Sequence, residues 1–357
     1  MSGALRRYWH PVGWEHELGP APRATMLLGQ RVVFWRDAAG LPHAAADQCP
    51  HRGTALSLGT VDAQGCLVCP YHGWSYATDG RCTAIPQQTP GARIPERAHL
   101  EVYACTPRYG LVWVCLEEPA APVPAFPEWD DPTYRHVACE AYTWQCGAGR
   151  MVENFTDFGH LGYLHDGLLG TRDDLVVPAH RVRTEGTELR YELTMTVPNT
   201  NDQFAVTGVT GERGLQTNSY VLSLPYAIHL ACRYHDTGAH RTLFFAAQPR
   251  SETESTGYCF QSRDFDLDAD PEPFAEFQAV LAEQDRPIVE SQRPLEIPLD
   301  LRHELQLPFD KVAIAYRRAL TELLGQPAAG SVGNSSVGAG SVGAAELEPD
   351  EAVRGVS

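Results

Sequence analysis

The sequence predicts an α+β chain: an all-β N-terminal domain, a C-terminal α+β domain built on an antiparallel sheet, and an unstructured tail. Three observations predict it. Residues 30–117 consist of short runs rich in Val, Trp, Tyr and Cys, separated by Gly, Pro and Asp-Gly, with no useful helix-period stretch among them. Strand-like runs return between about 186 and 264, and stretches with apolar residues three and four apart follow them. Beyond Gly325 the composition turns abruptly to Gly, Ser, Ala and Val.

In the first domain, residues 31–35 (Arg-Val-Val-Phe-Trp) form the clearest strand. Residues 101–106 and 111–116 read as a hairpin across 107–110, and Asp79-Gly80 marks another tight hairpin. Prolines at 119, 122, 124, 127 and 132 make a semi-extended connector, which places the domain boundary near residue 136. In the second domain a helix begins near Gly149 and runs through Asp157. Strands follow over 189–197, 219–224 and 241–247, and amphipathic helices over 274–292 and 309–324. The expected organisation is therefore residues 1–136, residues 137–326, and a disordered low-complexity tail at 327–357, which cannot bury enough surface to offset its ordering entropy.

The 357 residues carry 28 Lys+Arg against 45 Asp+Glu, a formal charge of −17. Such a balance repels phosphate backbones and anionic lipid, so nucleic acid and membrane surfaces are not expected partners. No segment approaches the ~18 apolar residues of a membrane span, and residues 1–10 lack the apolar core of a signal peptide. A cytoplasmic protein is expected, with reduced thiols, so a clustered cysteine suggests metal or catalysis before a disulfide.

Of the ten cysteines, only those near histidines have a regular pattern: Cys49-Pro-His51 and, after 17 intervening residues, Cys69-Pro-Tyr-His72. Each loop offers one thiolate and one imidazole. A structural zinc site with paired cysteines and H-x3–5-H spacing does not match this. A two-iron, two-sulfide cluster with one iron on two cysteines and the other on two histidines does. Neutral imidazole in place of thiolate lowers the cluster's negative charge and raises its potential from about −400 mV to between about −150 and +300 mV. Cys66 has no histidine partner and is left out.

Residues 153–165 contain N-x2-D-x2-H-x4-H, with Asn154, Asp157 and His160 every third residue and so on one face of a helix. His165 lies about 140° further round an ideal helix, so both imidazoles meet one metal only if the helix loosens, for which Gly159 and Gly162 give freedom. Two imidazoles and one carboxylate describe a non-haem Fe(II) site with open positions. Within this segment the carboxylate is missing unless Asp157 itself serves.

Together the two motifs resemble the oxygenase (α) subunits of the Rieske non-haem iron oxygenases over residues 5–325. Cys49-Pro-His-Arg-Gly53 and Cys69-Pro-Tyr-His-Gly-Trp74 carry the cluster half of the likeness. The resemblance implies one Rieske [2Fe-2S] cluster on Cys49, His51, Cys69 and His72, one mononuclear Fe(II), and a helix-grip (START-like) catalytic domain. It also implies that Asp157 is not a ligand but a bridge between His160 and a neighbouring subunit's cluster histidine, equivalent to His72. The family pattern E-x-D-x2-I-x-E-x-Q, present as Glu283-Gln-Asp-Arg-Pro-Ile-Val-Glu-Ser-Gln292, supplies Asp285 as third ligand beside His160 and His165. Glu290 is its rival, Pro287 is expected to bend the helix, and the acidic run at 264, 266, 268 and 270 reads as a solvated loop. Asp157 and Asn154 are the expected catalytic residues beyond the ligands.

With no Gly-rich nucleotide fingerprint and no plant-type ferredoxin spacing, the chain needs a separate NAD(P)H-dependent reductase of flavin or ferredoxin type. The resemblance implies a terminal oxygenase that uses O2 to hydroxylate a small aromatic, heterocyclic or alicyclic substrate, with oxidative O- or N-demethylation as the alternative. A Rieske electron carrier is a remote third, since it would need only residues 30–117. Other stretches, such as Tyr109-Gly-Leu-Val-Trp113 and Ser291-Gln-Arg-Pro294, resemble homotrimeric hydroxylases and demethylases of the vanillate O-demethylase and saxitoxin-type alkaloid hydroxylase kinds. Pocket walls are expected between 199 and 247, among them Phe204, Tyr220, Tyr226 and His229.

Overall fold

The computed structural model describes residues 3–198 and 212–325. The expected tail and Phe204 lie outside the described residues. Ten strands make up the N-terminal part: β1 (His10–Trp14), β2 (Arg23–Leu27), β3 (Gln30–Arg36), β4 (Pro42–Ala46), β5 (Thr60–Val61), β6 (Leu67–Val68), β7 (Ser75–Tyr76), β8 (Cys82–Ala84), β9 (Val102–Arg108) and β10 (Leu111–Cys115). Six of them pair in the order β1-β10-β9-β4-β3-β2, and the short β5-β6-β7-β8 sheet carries the second Cys-His loop between β6 and β7, while the first lies on the connection from β4 to β5. The β9–β10 hairpin is tighter than expected. Pro107 pairs with Val112 inside the ladder, and only Tyr109 and Gly110, with φ of 56° and 69°, form the turn.

The second part is one antiparallel sheet of β11 (Arg135–Ala138), β12 (Tyr142–Trp144), β13 (Arg181–Glu185), β14 (Glu188–Pro198), β15 (Arg213–Ser223), β16 (Ala227–Tyr234), β17 (His240–Pro249) and β18 (Ser255–Arg263). The expected boundary at 136 thus falls within β11, which pairs with β18. In β14, Leu189, Tyr191 and Leu193 are buried while Glu188, Arg190 and Glu192 face outward, the period-two pattern of a sheet covered on one face. From Arg241 onward in β17, and along all of β18, every residue is buried, because both faces are covered. Phe244 and Phe260 pack with Trp14, Trp113 and Phe126 on one side, while Leu243, Phe245 and Cys259 join the larger hydrophobic core on the other.

Four helices cover that inner face: α1 (Ala148–Thr156), α2 (Leu161–Leu164), α3 (Glu272–Ser291) and α4 (Lys311–Leu324). Helix α3 runs through Pro287 without interruption. A buried charge network ties α1 to α4. The Arg317 guanidinium donates to both carboxylate oxygens of Glu153 at 2.7 and 2.8 Å and to Glu304, while Arg150, 2% exposed, donates to Glu153 at 3.2 Å and Glu304 at 2.6 Å. Such pairing is what makes buried charge tolerable, and it fixes the helix that leads into the N-x2-D-x2-H-x4-H segment.

Candidate metal centres and substrate cavity

The two Cys-His loops repeat one geometry. The Cys49 N–H donates to the Thr54 carbonyl at 2.8 Å and the Gly53 N–H to the Cys49 carbonyl at 2.9 Å; the matching bonds in the second loop run from Cys69 to Trp74 at 2.8 Å and from Gly73 to Cys69 at 3.0 Å. Gly53 and Gly73, with φ of 74° and 68°, close these turns in the left-handed region, where a side chain would be strained. Cys49 and Cys69 are each 2% exposed, whereas His51 and His72 lie at the partly exposed tip with their Nδ1 atoms 3.2 Å apart. The indole of Trp74 stacks on His51 at 4.4 Å, and the Tyr76 hydroxyl lies 3.2 Å from Cys49 Sγ. Two inner thiols and two converging Nδ1 atoms are the donor set required by a [2Fe-2S] centre with two cysteines on one iron and two histidines on the other.

The second constellation departs locally from expectation. Asn154, Asp157 and His160 do not share a helix face, because α1 ends at Thr156 and Asp157 takes extended backbone angles. The histidines flank a separate turn instead, His160 before α2 and His165 after it. The Asp157 Oδ2 accepts both the His160 backbone N–H at 2.9 Å and its Nδ1–H at 2.8 Å, which holds that turn to the end of α1. Burial pushes the Asp157 carboxyl up, but these contacts win and hold it below the ordinary carboxylate range.

Across from them, α3 brings Asp285. Its Oδ1 lies 3.1 Å from His165 Nε2 and 3.6 Å from His160 Nε2, and the three side chains offer ligand atoms within 4.8 Å of one another. That Oδ1 is buried with no hydrogen-bond partner, an orphaned acceptor of the kind a cation satisfies. His165 Nδ1–H donates to Gln284 Oε1 at 2.7 Å, as His160 Nδ1–H does to Asp157, so both rings present Nε2 lone pairs toward the carboxylate. The residues fit a mononuclear metal. Glu290 is turned elsewhere and accepts the Gln145 N–H at 2.8 Å; Asp264 holds His240, and Asp270 accepts the Glu272 N–H.

A cavity of about 1170 Å³, counting its open mouth, extends from this trio between α3 and the sheet. Asn154, Phe155, Leu161, Tyr220, Leu243, Leu281 and Ala282 line it near the ligands, and Gln216, Asn218, Tyr234, Arg241 and Gln278 add polar groups. Tyr220 stands where expected. Tyr226 instead lines a second cavity with Leu5 and Ile297, and His229 faces the N-terminal part, bonding Glu128 at 2.8 Å. Alternation along β16 explains His229, since Leu230 and Cys232 face the cavity, whereas Tyr226 precedes the strand. Gln284, Tyr76, Gln278 and Arg241 were not expected from the sequence. The visible signal for Arg241 was a charge opening the apolar run Thr-Leu-Phe-Phe; for Gln284, its place beside Asp285.

Both halves match family models, the Rieske [2Fe-2S] domain over residues 8–106 and the vanillate O-demethylase oxygenase C-terminal domain over residues 144–326. The chain belongs to the Rieske non-haem iron oxygenases, and it is an oxidoreductase with a Rieske [2Fe-2S] cluster and a mononuclear iron as its cofactors. It is 34% identical to the methylxanthine N1-demethylase NdmA of Pseudomonas putida over 92% of this chain and 91% of that one, and 30% identical to the N3-demethylase NdmB over 89% of each. The solved structure of Pseudomonas putida CBB5 NdmA with caffeine superposes with a TM-score of 0.79 at 31% identity, covering 90% of this chain and 91% of the other. A pure electron carrier would leave residues 144–326 without a role. Among the described residues no helix is long and apolar enough to cross a membrane.

Proposed function

We propose that the chain is the terminal oxygenase of a multicomponent system and that it hydroxylates the methyl group of an N- or O-methylated heteroaromatic molecule. The observation that carries this is the likeness, over nine tenths of both chains, to two N-demethylases. Hydroxylation and demethylation are then one reaction. An oxygen atom from O2 enters a methyl C–H bond, two electrons and two protons reduce the other oxygen to water, and the resulting carbinol collapses to formaldehyde and the free N–H or O–H. Ring or alkyl hydroxylation without carbon loss is the same oxygen insertion at a carbon that carries no heteroatom.

In this proposal Cys49, His51, Cys69 and His72 hold the cluster, and His160, His165 and Asp285 hold the iron. The cluster supplies electrons singly and the iron is where dioxygen is activated. The chain's own contribution is positional. Asp157 and Gln284 fix the imidazole tautomers, Asn154 borders the reacting end, and Phe155, Leu161 and Leu243 keep it apolar. Electrons come from a separate NAD(P)H-dependent reductase, in a cytoplasmic setting. In this reading residues 1–136 carry the cluster and 137–326 the iron, with the division falling inside β11.

The assembly in this proposal is a homotrimer, in which Asp157 of one subunit reaches the cluster histidine of the next. In support, Tyr71 beside His72 is 64% exposed, and Leu305 and Phe309, 85% and 44% exposed, lie on the segment that touches Gly159 near Asp157. Assemblies mixed from His72→Ala and His160→Ala chains, each inactive alone, should recover turnover; verified mixed trimers without turnover would remove the intersubunit route. The function itself is tested with purified oxygenase, a reductase and NADH under ¹⁸O2 on N-methyl and O-methyl heteroaromatics. Formaldehyde equal to demethylated product is expected. Products that retain the methyl carbon and gain oxygen elsewhere would replace demethylation with ring hydroxylation.

A further inference from the structure

The cavity has two chemically different ends. Gln278 and Asp285 are seven residues apart on α3, nearly two full turns, so they share the cavity face about 10 Å apart along the axis. At the Asp285 end the surroundings are the metal ligands, Asn154, Tyr220 and otherwise apolar side chains. On the sheet floor, Asn218, Cys232 and Arg241 are successive cross-strand partners on β15, β16 and β17, with Gln216 and Tyr234 in the next row. Tyr220, Leu230 and Leu243 form the row on the other side, so the rows carrying amide and guanidinium groups begin about 7 Å further along the strands. Phe274 anchors the start of α3 on that side: its carbonyl accepts Gln261 Nε2–H at 2.6 Å, and Arg263 covers its ring at 3.9 Å. The N-terminal turns of α3, where Gln278 sits, therefore lie toward the polar rows, and Asp285 lies away from them.

Gln278 differs from Gln216, Asn218 and Arg241 there. Asn218 Oδ1 accepts from Gln216 Nε2, and Asn218 Nδ2 donates to Met195 Sδ at 3.6 Å; Arg241 bonds the Cys232 thiol. Gln278 is only 8% exposed, lines the cavity, and has no hydrogen-bond partner among the described residues. A carboxamide this buried on the cavity wall, with neither its donor nor its acceptor met by the described residues, is complementary to a ligand that supplies both.

We infer that Gln278 is the specificity-determining residue of this cavity, selecting ring systems with a cyclic amide edge, an N–H beside a carbonyl oxygen, held toward Gln278 while the methyl group points toward Asp285. The inference rests on the demethylase proposal for the direction of the methyl group. The amide edge follows from pairing. A carboxylate would set an acceptor against Oε1, a bare arene would leave donor and acceptor both unmet, and a protonated amine would meet the cationic Arg241 across the cavity. An edge with one donor beside one acceptor satisfies both atoms of the carboxamide.

The test is equilibrium binding to the iron-loaded full chain, with formaldehyde release followed in parallel. The probes are 1-methylquinazoline-2,4-dione, which has the edge, its 1,3-dimethyl derivative, which lacks the N–H, and 1-methylindole, which lacks the edge. The native chain should bind the first about tenfold or more tightly than the second. Gln278→Met should bring that ratio close to one and tighten 1-methylindole binding, since no carboxamide is then left unmet, while thermal melting and the Rieske visible spectrum stay unchanged. Gln278→Leu serves if the Met variant loses its spectrum. A native ratio near one, a ratio that survives in both variants, or no binding of the edge-bearing probe would each overturn the inference. Edge-selective binding without formaldehyde would leave it standing and remove the demethylase proposal; formaldehyde from both diones at equal efficiency would do the reverse.

Discussion

Gln284 accepts a 2.7 Å hydrogen bond from Nδ1 of His165, one residue before the carboxylate that faces the same ring's Nε2. One helix thus supplies both the opposing ligand and the group that fixes the imidazole's tautomer. Gln284→Leu should keep the fold and the cluster but weaken mononuclear iron binding about 10- to 100-fold, the usual effect of losing such an outer partner. Chelator titration of the mononuclear iron checks this. Equal chelator resistance in variant and native chains would show that the tautomer is fixed by something else.

The Tyr76 hydroxyl, 3.2 Å from Cys49 Sγ, makes the corresponding contact at the cluster. A donor to a ligand sulfur stabilises the more electron-rich, reduced state, so Tyr76→Phe should lower the midpoint potential with little change in the visible spectrum. Redox titration of both proteins reads the shift. A raised or identical potential would mean the hydroxyl does not donate to sulfur.

Much of the cluster site was legible because its chemistry is local: C-x-H and C-x2-H each place a thiolate and an imidazole within one turn, and both loops fold as their glycines and prolines suggest. The second site was legible only in its residue types. The helix expected to carry Asn154, Asp157 and His160 together stops at Thr156, because the Asp157 carboxylate bonds the His160 backbone N–H and starts a new turn, a competition that spacing alone does not reveal. Asp285 came from resemblance, since 120 residues separate it from His165. His229 was misplaced by facing, a one-residue matter on a strand, and Tyr226 because it precedes β16 and lines the second cavity instead. Gln278 had no signal, as one polar residue on an amphipathic helix is ordinarily on its wet face.

His10 gives a pH dependence remote from both centres. It is 1% exposed, with Nε2–H donating to the Leu5 carbonyl at 3.0 Å, and burial, opposed by that bond, pulls its imidazole from 6.5 to about 4. Between these values the unfolded chain is protonated at this residue and the folded chain is not. Stability from His10 is therefore complete above pH 6.5 and declines as pH falls toward 4, by about 3 kcal/mol in all. His10→Gln, which keeps a donor, should flatten this part of the profile. Urea unfolding at pH 5 and pH 7 is the check, and parallel losses in both proteins would contradict it.

The most direct test of the account is metal stoichiometry in Asp285→Ala. If His160, His165 and Asp285 hold the iron and the Cys-His loops hold the cluster, the native chain carries two cluster irons, one mononuclear iron and two acid-labile sulfides. The variant should keep the Rieske spectrum and both sulfides, fall to two irons, and produce no formaldehyde. An Asp285→Ala chain with three irons and native turnover would contradict the assignment and move the third ligand elsewhere.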